Sequence, residues 1–163
     1  MTCSTQGAPN AHGQPHGRAL GLDVGARRIG VAVSDPLQIV ARPLEVIDRS
    51  TLDAIDRLQS VCREHNVCVV VVGLPLHSDG RLSAQAEQAM AFAEQLQTAL
   101  RIAVVLHDER FSTQEARQIL NNQRRQRMAY DDAWAAAVVL QRYLDARAFA
   151  QTIGLPPRRS EKG

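Results

Sequence analysis

A chain of 163 residues with 45% apolar content can bury one ordinary core without disulfide or metal staples, and is too short for two full domains. A formal net charge of +2 leaves the class of partner open, while only 4% aromatic residues argue against a surface that binds single strands by stacking on their bases. No run approaches the roughly 18 apolar residues of a membrane span and the N-terminus lacks the apolar centre of a secretion signal, so a soluble cytoplasmic protein with no membrane partner is expected.

Residues 1–17 combine Gly, Pro, Gln, Asn and His with almost no large apolar side chain, and read as a disordered tail in which His12 and His16 are solvated. One domain is expected over residues 18–152. Residues 19–23 and 29–34 are short runs rich in Leu, Ile and Val around a turn with Gly25, the pattern of a β-hairpin. Residues 39–47 form a third strand candidate, which Pro43 pushes toward a sheet edge because proline cannot donate to a ladder. Residues 50–65 change period, with Leu52, Ile55, Leu58 and Cys62 near one helical face and Ser50 with Asp53 as a capping box. The β-branched run 67–72, ended by Gly73 and Pro75, predicts a central parallel strand buried on both faces.

A crossover follows. Residues 83–100 carry Ala86, Met90, Ala93, Leu96 and Leu100 on a helical stripe, and 102–106 is a further apolar strand. Ser112 with Glu115 is a second capping box, opening a helix through about Leu120, and residues 131–151 form a long Ala-rich helix. Residues 153–163, with Pro156, Pro157, Arg158 and Arg159, read as a flexible tail. Cys3, Cys62 and Cys68 match neither a zinc spacing nor a disulfide framework, and Cys62 and Cys68 are expected to be buried reduced thiols. Three strands followed by alternating helix and strand predict a mixed five-stranded sheet flanked by helices, in the ribonuclease H-like order.

The acids at element ends are the candidates for chemistry. Asp23 closes the first strand between Leu22 and Val24, where a carboxylate needs compensation; a turn aspartate bonding the amides around Gly25 is the structural alternative. Asp108 and Glu109 follow the strand ending at Leu106, at the kind of strand end where open α/β sheets collect function, and one of the two must face inward. Asp132 stands in the first turn of the long helix, where the helix dipole alone would favour an acid. Ala133, Ala135, Ala136 and Ala137 let that helix approach the sheet closely, bringing its first turn toward Asp23. Carboxylates converging there from distant chain positions would repel unless hard cations lay between them, as in a metal-dependent phosphodiesterase.

Leu20-Gly-Leu-Asp-Val-Gly25, Arg28-Ile-Gly-Val-Ala-Val-Ser34, Val72-Gly-Leu-Pro75 with Asp79-Gly80, Asp108-Glu-Arg-Phe-Ser-Thr113, and Asp132 ahead of Ala135-Ala136 together resemble the YqgF-like pre-16S rRNA nuclease family. The likeness covers about residues 19–145. It implies a ribonuclease H-like fold, a cytoplasmic hydrolase in ribosome biogenesis that trims the 5′ end of the 16S rRNA precursor, and a site at Asp23, Glu109 and Asp132. A Holliday-junction resolvase role is the alternative within the same resemblance. Arg27 stands where the family commonly has lysine, and Arg124-Arg125-Gln-Arg127 replaces a segment that often carries Gly and Lys; both changes keep the charge and add bidentate phosphate contacts.

The expected mechanism has Mg²⁺, or Mn²⁺, bound by Asp23, Glu109 and Asp132 activating a water. Candidate nucleic-acid contacts are Arg27, Arg28, Arg110, Ser112, Thr113, Arg124, Arg125 and Arg127, with a plain N-cap at Ser112 and a solvated basic loop at 124–127 as the structural alternatives. Asp131 is expected to face solvent, and His65, His77 and His107 have no metal-ligand spacing. A sugar-kinase-like phosphotransferase also begins with Asp-x-Gly, yet needs two copies of the fold; a non-catalytic RNA-binding module would not need the three acids. The oligomeric state is left open.

Overall fold

The computed structural model describes residues 17–51, 53–75, 81–108 and 131–154. They form strands β1 (Arg18–Val24), β2 (Arg28–Ser34) and β3 (Ala41–Asp48), helix α1 (Ala54–Glu64), β4 (Val67–Leu74), α2 (Ala84–Ala99), β5 (Ala103–Asp108) and α3 (Asp131–Thr152). The five strands make one mixed sheet in the order β3-β2-β1-β4-β5, antiparallel from β3 to β1 and parallel from β1 through β4 to β5. The tails predicted at either end fall almost wholly outside the described residues, as does the helix predicted from Ser112.

Each face of the sheet has its own core. Leu20, Leu22, Val24, Ile29, Val31, Val33 and Ile47 point to one face, where α1 and α2 cover them with Leu58, Val61, Cys62, Ala89, Phe92, Ala93 and Leu96. Ala19, Ala32, Val69 and Val71 point to the other, under Ala136, Ala137, Val139, Leu140 and Leu144 of α3. The period-2 alternation of the strands sorts these sets, and β4 is apolar at every position from 67 to 72 because both its faces are covered.

Local expectations shift in three places. Asp53, rather than Ser50, caps α1, accepting from the amides of Ile55 and Asp56 at 3.0 and 3.3 Å. The third strand begins at Ala41 instead of Ile39, because Asp35 folds back to accept from the amides of Ile39 and Val40 and leaves Leu37, Ile39 and Val40 exposed. In α2 the buried stripe runs through Ala89 and Phe92, with Met90 half-buried. Pro43 lies on the edge strand, beside a bulge opposite Val31 and Ala32. Cys62 is buried and Cys68 half-buried, both as free thiols, and burial pushes the Cys62 thiol up to about 11.

Two glycines set the depth at which α3 rests. A Cβ on Gly21 would come within 2.6 Å of the Leu140 Cβ and 2.9 Å of the Ala136 carbonyl oxygen. A Cβ on Gly30 would fall inside the main-chain carbonyl of Asp132. Gly30→Ala is therefore expected to lower stability by about 3 kcal/mol or more, and Gly21→Ala by less, because a Cβ at 30 overlaps the Asp132 main chain outright, whereas one at 21 crowds the Leu140 Cβ and the Ala136 carbonyl by an amount that a smaller lift of α3 relieves. Urea unfolding of both variants checks the order, and equal small losses would mean that α3 does not seat on Gly30.

Between β5 and α3 the His107 ring meets Tyr143 edge-on at 6.1 Å between centroids. Burial, followed by Arg142, holds the His107 imidazole below its ordinary value, with Asp108 pulling the other way. A base lowered on folding contributes stability that is fully present above its unfolded value of about 6.5 and is lost as the pH falls through the window beneath it. Between about pH 7.5 and 5.5 the native protein should lose more stability than His107→Phe, which keeps the ring contact but does not titrate. Parallel stability curves would remove His107 as the cause.

Candidate active site

The carboxyl ends of β1, β4 and β5, the start of β2 and the first turn of α3 meet at one end of the sheet. Asp23 is the penultimate residue of β1 and is half-buried. It shares a face with Ala19 and Gly21, the face that α3 covers, and its cross-strand partner on β2 is Gly30. The main chain of Asp132 rests on that same Gly30. Directly opposite positions on adjacent strands lie about 5 Å apart, so the β1 acid and the helix acid are brought to neighbouring positions on the α3 side of the sheet.

The turn between β1 and β2 is closed by the Gly25 amide, which donates to the Arg28 carbonyl at 2.9 Å. Arg28, two residues before Gly30 and so on the same face, pairs its Nε with Asp132 Oδ2 at 3.2 Å. The pair is open to solvent, with Arg28 51% and Asp132 31% exposed. Arg27, 78% exposed, reaches Asp48 more loosely at 3.9 Å. The Asp48 carboxyl is held below its ordinary value first by the hydroxyl and amide of Ser50, then by the positive charge of Arg27 and Arg28.

Asp108 takes the opposite face. Its partner on β4 is Leu74, which packs on the α1 and α2 side, whereas Val105 and His107 of the same strand meet the α3 side. Glu109 lies outside the described residues, as do Arg110, Ser112, Thr113, Arg124, Arg125 and Arg127 and the side chain of Asp131. The described part of the site is thus Asp23 and Asp132 with Arg27 and Arg28 around them. Two carboxylates are the donors that hard divalent ions such as Mg²⁺ and Mn²⁺ take, so this donor set fits such an ion; among the described residues no group of three metal-ligating side chains comes together.

Residues 17–146 match a family model described as RuvX, Holliday junction resolvase. The chain belongs to this family. A relative from Anaeromyxobacter sp. (strain Fw109-5) named "Putative pre-16S rRNA nuclease" is 46% identical over 134 residues, which cover 80% of this chain and 98% of the relative. A relative of the same name from Dehalococcoides mccartyi is 40% identical over 124 residues, 75% of this chain and 93% of that one. Among solved structures the fold is similar to "T. thermophilus RuvC in complex with Holliday junction substrate", with a TM-score of 0.52 and 18% identity over 82% of this chain and 96% of that chain. The sheet is accordingly of the ribonuclease H-like class. No helix among the described residues is long and apolar enough to cross a membrane.

Sequence reasoning missed one basic residue at this end of the sheet. Arg49, just past β3, donates from Nη1 to the Gly25 carbonyl at 2.9 Å, and its amide donates to the Arg27 carbonyl at 2.8 Å. No pattern links residues 25 and 49 in the sequence; only the pairing of β3 on β2 brings them together.

Because both partners are solvated, the Arg28–Asp132 pair should contribute little to folding. Arg28→Gln is expected to shift stability by less than about 1 kcal/mol. A larger loss in thermal or urea unfolding would make Arg28 a structural residue rather than a member of the site.

Proposed function

We propose that the chain is a divalent-metal-dependent nuclease of the cytoplasm that trims the 5′ end of the 16S rRNA precursor, with Asp23, Glu109 and Asp132 holding Mg²⁺ or Mn²⁺. Hydrolysis of phosphodiester bonds is the activity that goes with the family; substrate and metal are the finer reading. The observation that carries it is the seating of the first turn of α3 on Gly30, the cross-strand partner of Asp23, since packing there brings together two acids whose mutual repulsion favours a cation beside them. Alternation along β5 supports Glu109 as the third acid, because Asp108 is committed to the α1 and α2 face.

Asp23, Glu109 and Asp132 would hold a divalent ion, and the chemistry such an ion would supply is activation of a water and positive charge for the phosphate. Asp23 and Asp132 would contribute hard carboxylate oxygens as its donors. Arg28 is the counter-charge to Asp132. It is open to solvent beside the acids, and its guanidinium fork matches phosphate oxygens, so it would bind the substrate backbone and stabilise the charge that builds on it. Arg27, with only a long contact to Asp48, is available to an adjacent phosphate.

A resolvase-like action on branched DNA is the second reading, favoured by the description of the family model and by the structural likeness to a resolvase. Precursor rRNA and a four-way DNA junction assayed side by side with Mg²⁺ decide between them. We expect cleavage of the RNA, lost on chelation and restored by Mg²⁺ or Mn²⁺. Asp23→Asn and Asp132→Asn should each reduce it by about 100-fold or more, beyond the loss typical of residues that only support a metal ligand, whereas Asp131→Asn should leave it nearly intact. Cleavage of the junction alone would favour the second reading, and full activity in Asp132→Asn would overturn the site.

A further inference from the structure

The β1–β2 turn carries charge on both sides of the sheet. Arg28 faces α3, but Arg49 reaches the other way, its guanidinium carbon 5.3 Å from the centroid of the Phe92 ring on α2. We propose that Arg49 is a phosphate-contact residue that extends the substrate-backbone track from the Asp23 rim across the β1–β2 turn to the α1 and α2 side; this rests on the nucleic-acid-cleaving reading above.

Its partners are what set this arginine apart from its neighbours. Arg27, Arg28 and Arg57 each have a carboxylate within ion-pair reach: Asp48 at 3.9 Å, Asp132 at 3.2 Å and Glu45 at 2.8 Å. Arg49 is held instead by neutral groups, the Gly25 carbonyl and the face of buried Phe92, and among the described residues no carboxylate pairs with it. Carbonyl and ring orient the guanidinium without cancelling its charge. A carbonyl engages one edge of the planar fork and the ring engages its face, so N–H donors remain in the plane for an anion. The side chain is half-buried and already ordered, so a phosphate meeting it would not have to immobilise a free arginine. The anchor points are also the right ones: Gly25 and Arg27, gripped by the Arg49 side chain and amide, belong to the turn that follows Asp23 directly.

A staple for the turn is the competing explanation, and it predicts a different readout. Removing a staple lowers stability but leaves the salt dependence of binding alone, whereas removing a phosphate contact changes the slope of log affinity against log salt. The full-length protein is titrated, in EDTA so that nothing is cut, against a short fluorescent single-stranded RNA and a four-way DNA junction. Arg49→Gln should lower the magnitude of the slope by about 0.7 on the single strand or about 0.9 on the junction, with several-fold weaker binding at low salt. Arg49→Lys keeps the charge and loses the fork, so it should retain the native slope with weaker affinity. An unchanged slope in Arg49→Gln overturns the assignment. Should that variant fail to fold, native affinity in Arg49→Lys overturns it in its place. If the unaltered protein binds neither probe in a salt-dependent way, the nucleic-acid reading itself falls, and Arg49 with it.

Discussion

The approach of α3 to the bare backbone of β1 and β2 is the constraint on which the rest of the molecule depends. Side chains at positions 21 and 30 would hold the helix off the sheet, and glycine at both lets Ala136, Leu140 and the main chain of Asp132 come down onto the strands. Residues 132, 136 and 140 recur every four positions, so the seat that buries Ala136 and Leu140 also turns position 132 toward the sheet. Packing thus sets the helix depth, and helix depth sets the place of an acid. Nothing about Asp132 itself is needed to bring it to Asp23 beyond its position in the repeat.

Such placement has an electrostatic consequence. Two carboxylates held at neighbouring positions beside a covered sheet face repel one another, and hydration of half-exposed groups screens this only partly. The fold supplies a nearby cation in Arg28, whose own position on β2 is two residues from the glycine that seats the helix. The same strand therefore provides both the flat surface and the counter-charge. A rim rich in arginine also explains why the overall charge of +2 says little about partners: acids and bases are concentrated side by side at one end of the sheet, and a whole-chain sum erases that local pattern.

Most of the fold was legible in the sequence because the strands and helices differ sharply in period. The unbroken Val67 to Val72 run could only be satisfied between two covered faces, and it forms the parallel strand between β1 and β5. Pro43 placed its strand at an edge for want of an amide donor. Boundaries were less legible where side chains compete for backbone amides: Asp35 takes the amides of Ile39 and Val40, and Asp53 takes those of Ile55 and Asp56, so the apolar pattern overruns the strand and the wrong residue reads as the cap. At the site, Asp23, Asp132 and Arg28 could be named from motifs and spacing. The role of Gly30 as a seat, and of Arg49 as a neighbour of Gly25, depends on contacts between residues distant in sequence that carry no local pattern.

The core and the candidate site share a helix turn, and this couples the position of the acids to stability in one direction. A substitution that enlarges Ala133, Ala136 or either glycine would lift α3 and carry the Asp132 carboxylate with it, even where the remaining core absorbs the change, because the helix moves as a rigid rod while a metal or a phosphate tolerates only small displacements. The converse does not hold. Asp132 and Arg28 are half-exposed, so exchanging their charges leaves the apolar contacts of Ala136, Leu140 and Leu144 in place. Residues under the helix, Ala133 of its first turn among them, are therefore constrained by both folding and geometry, whereas the solvated side chains of Asp132 and Arg28 lie outside that packing.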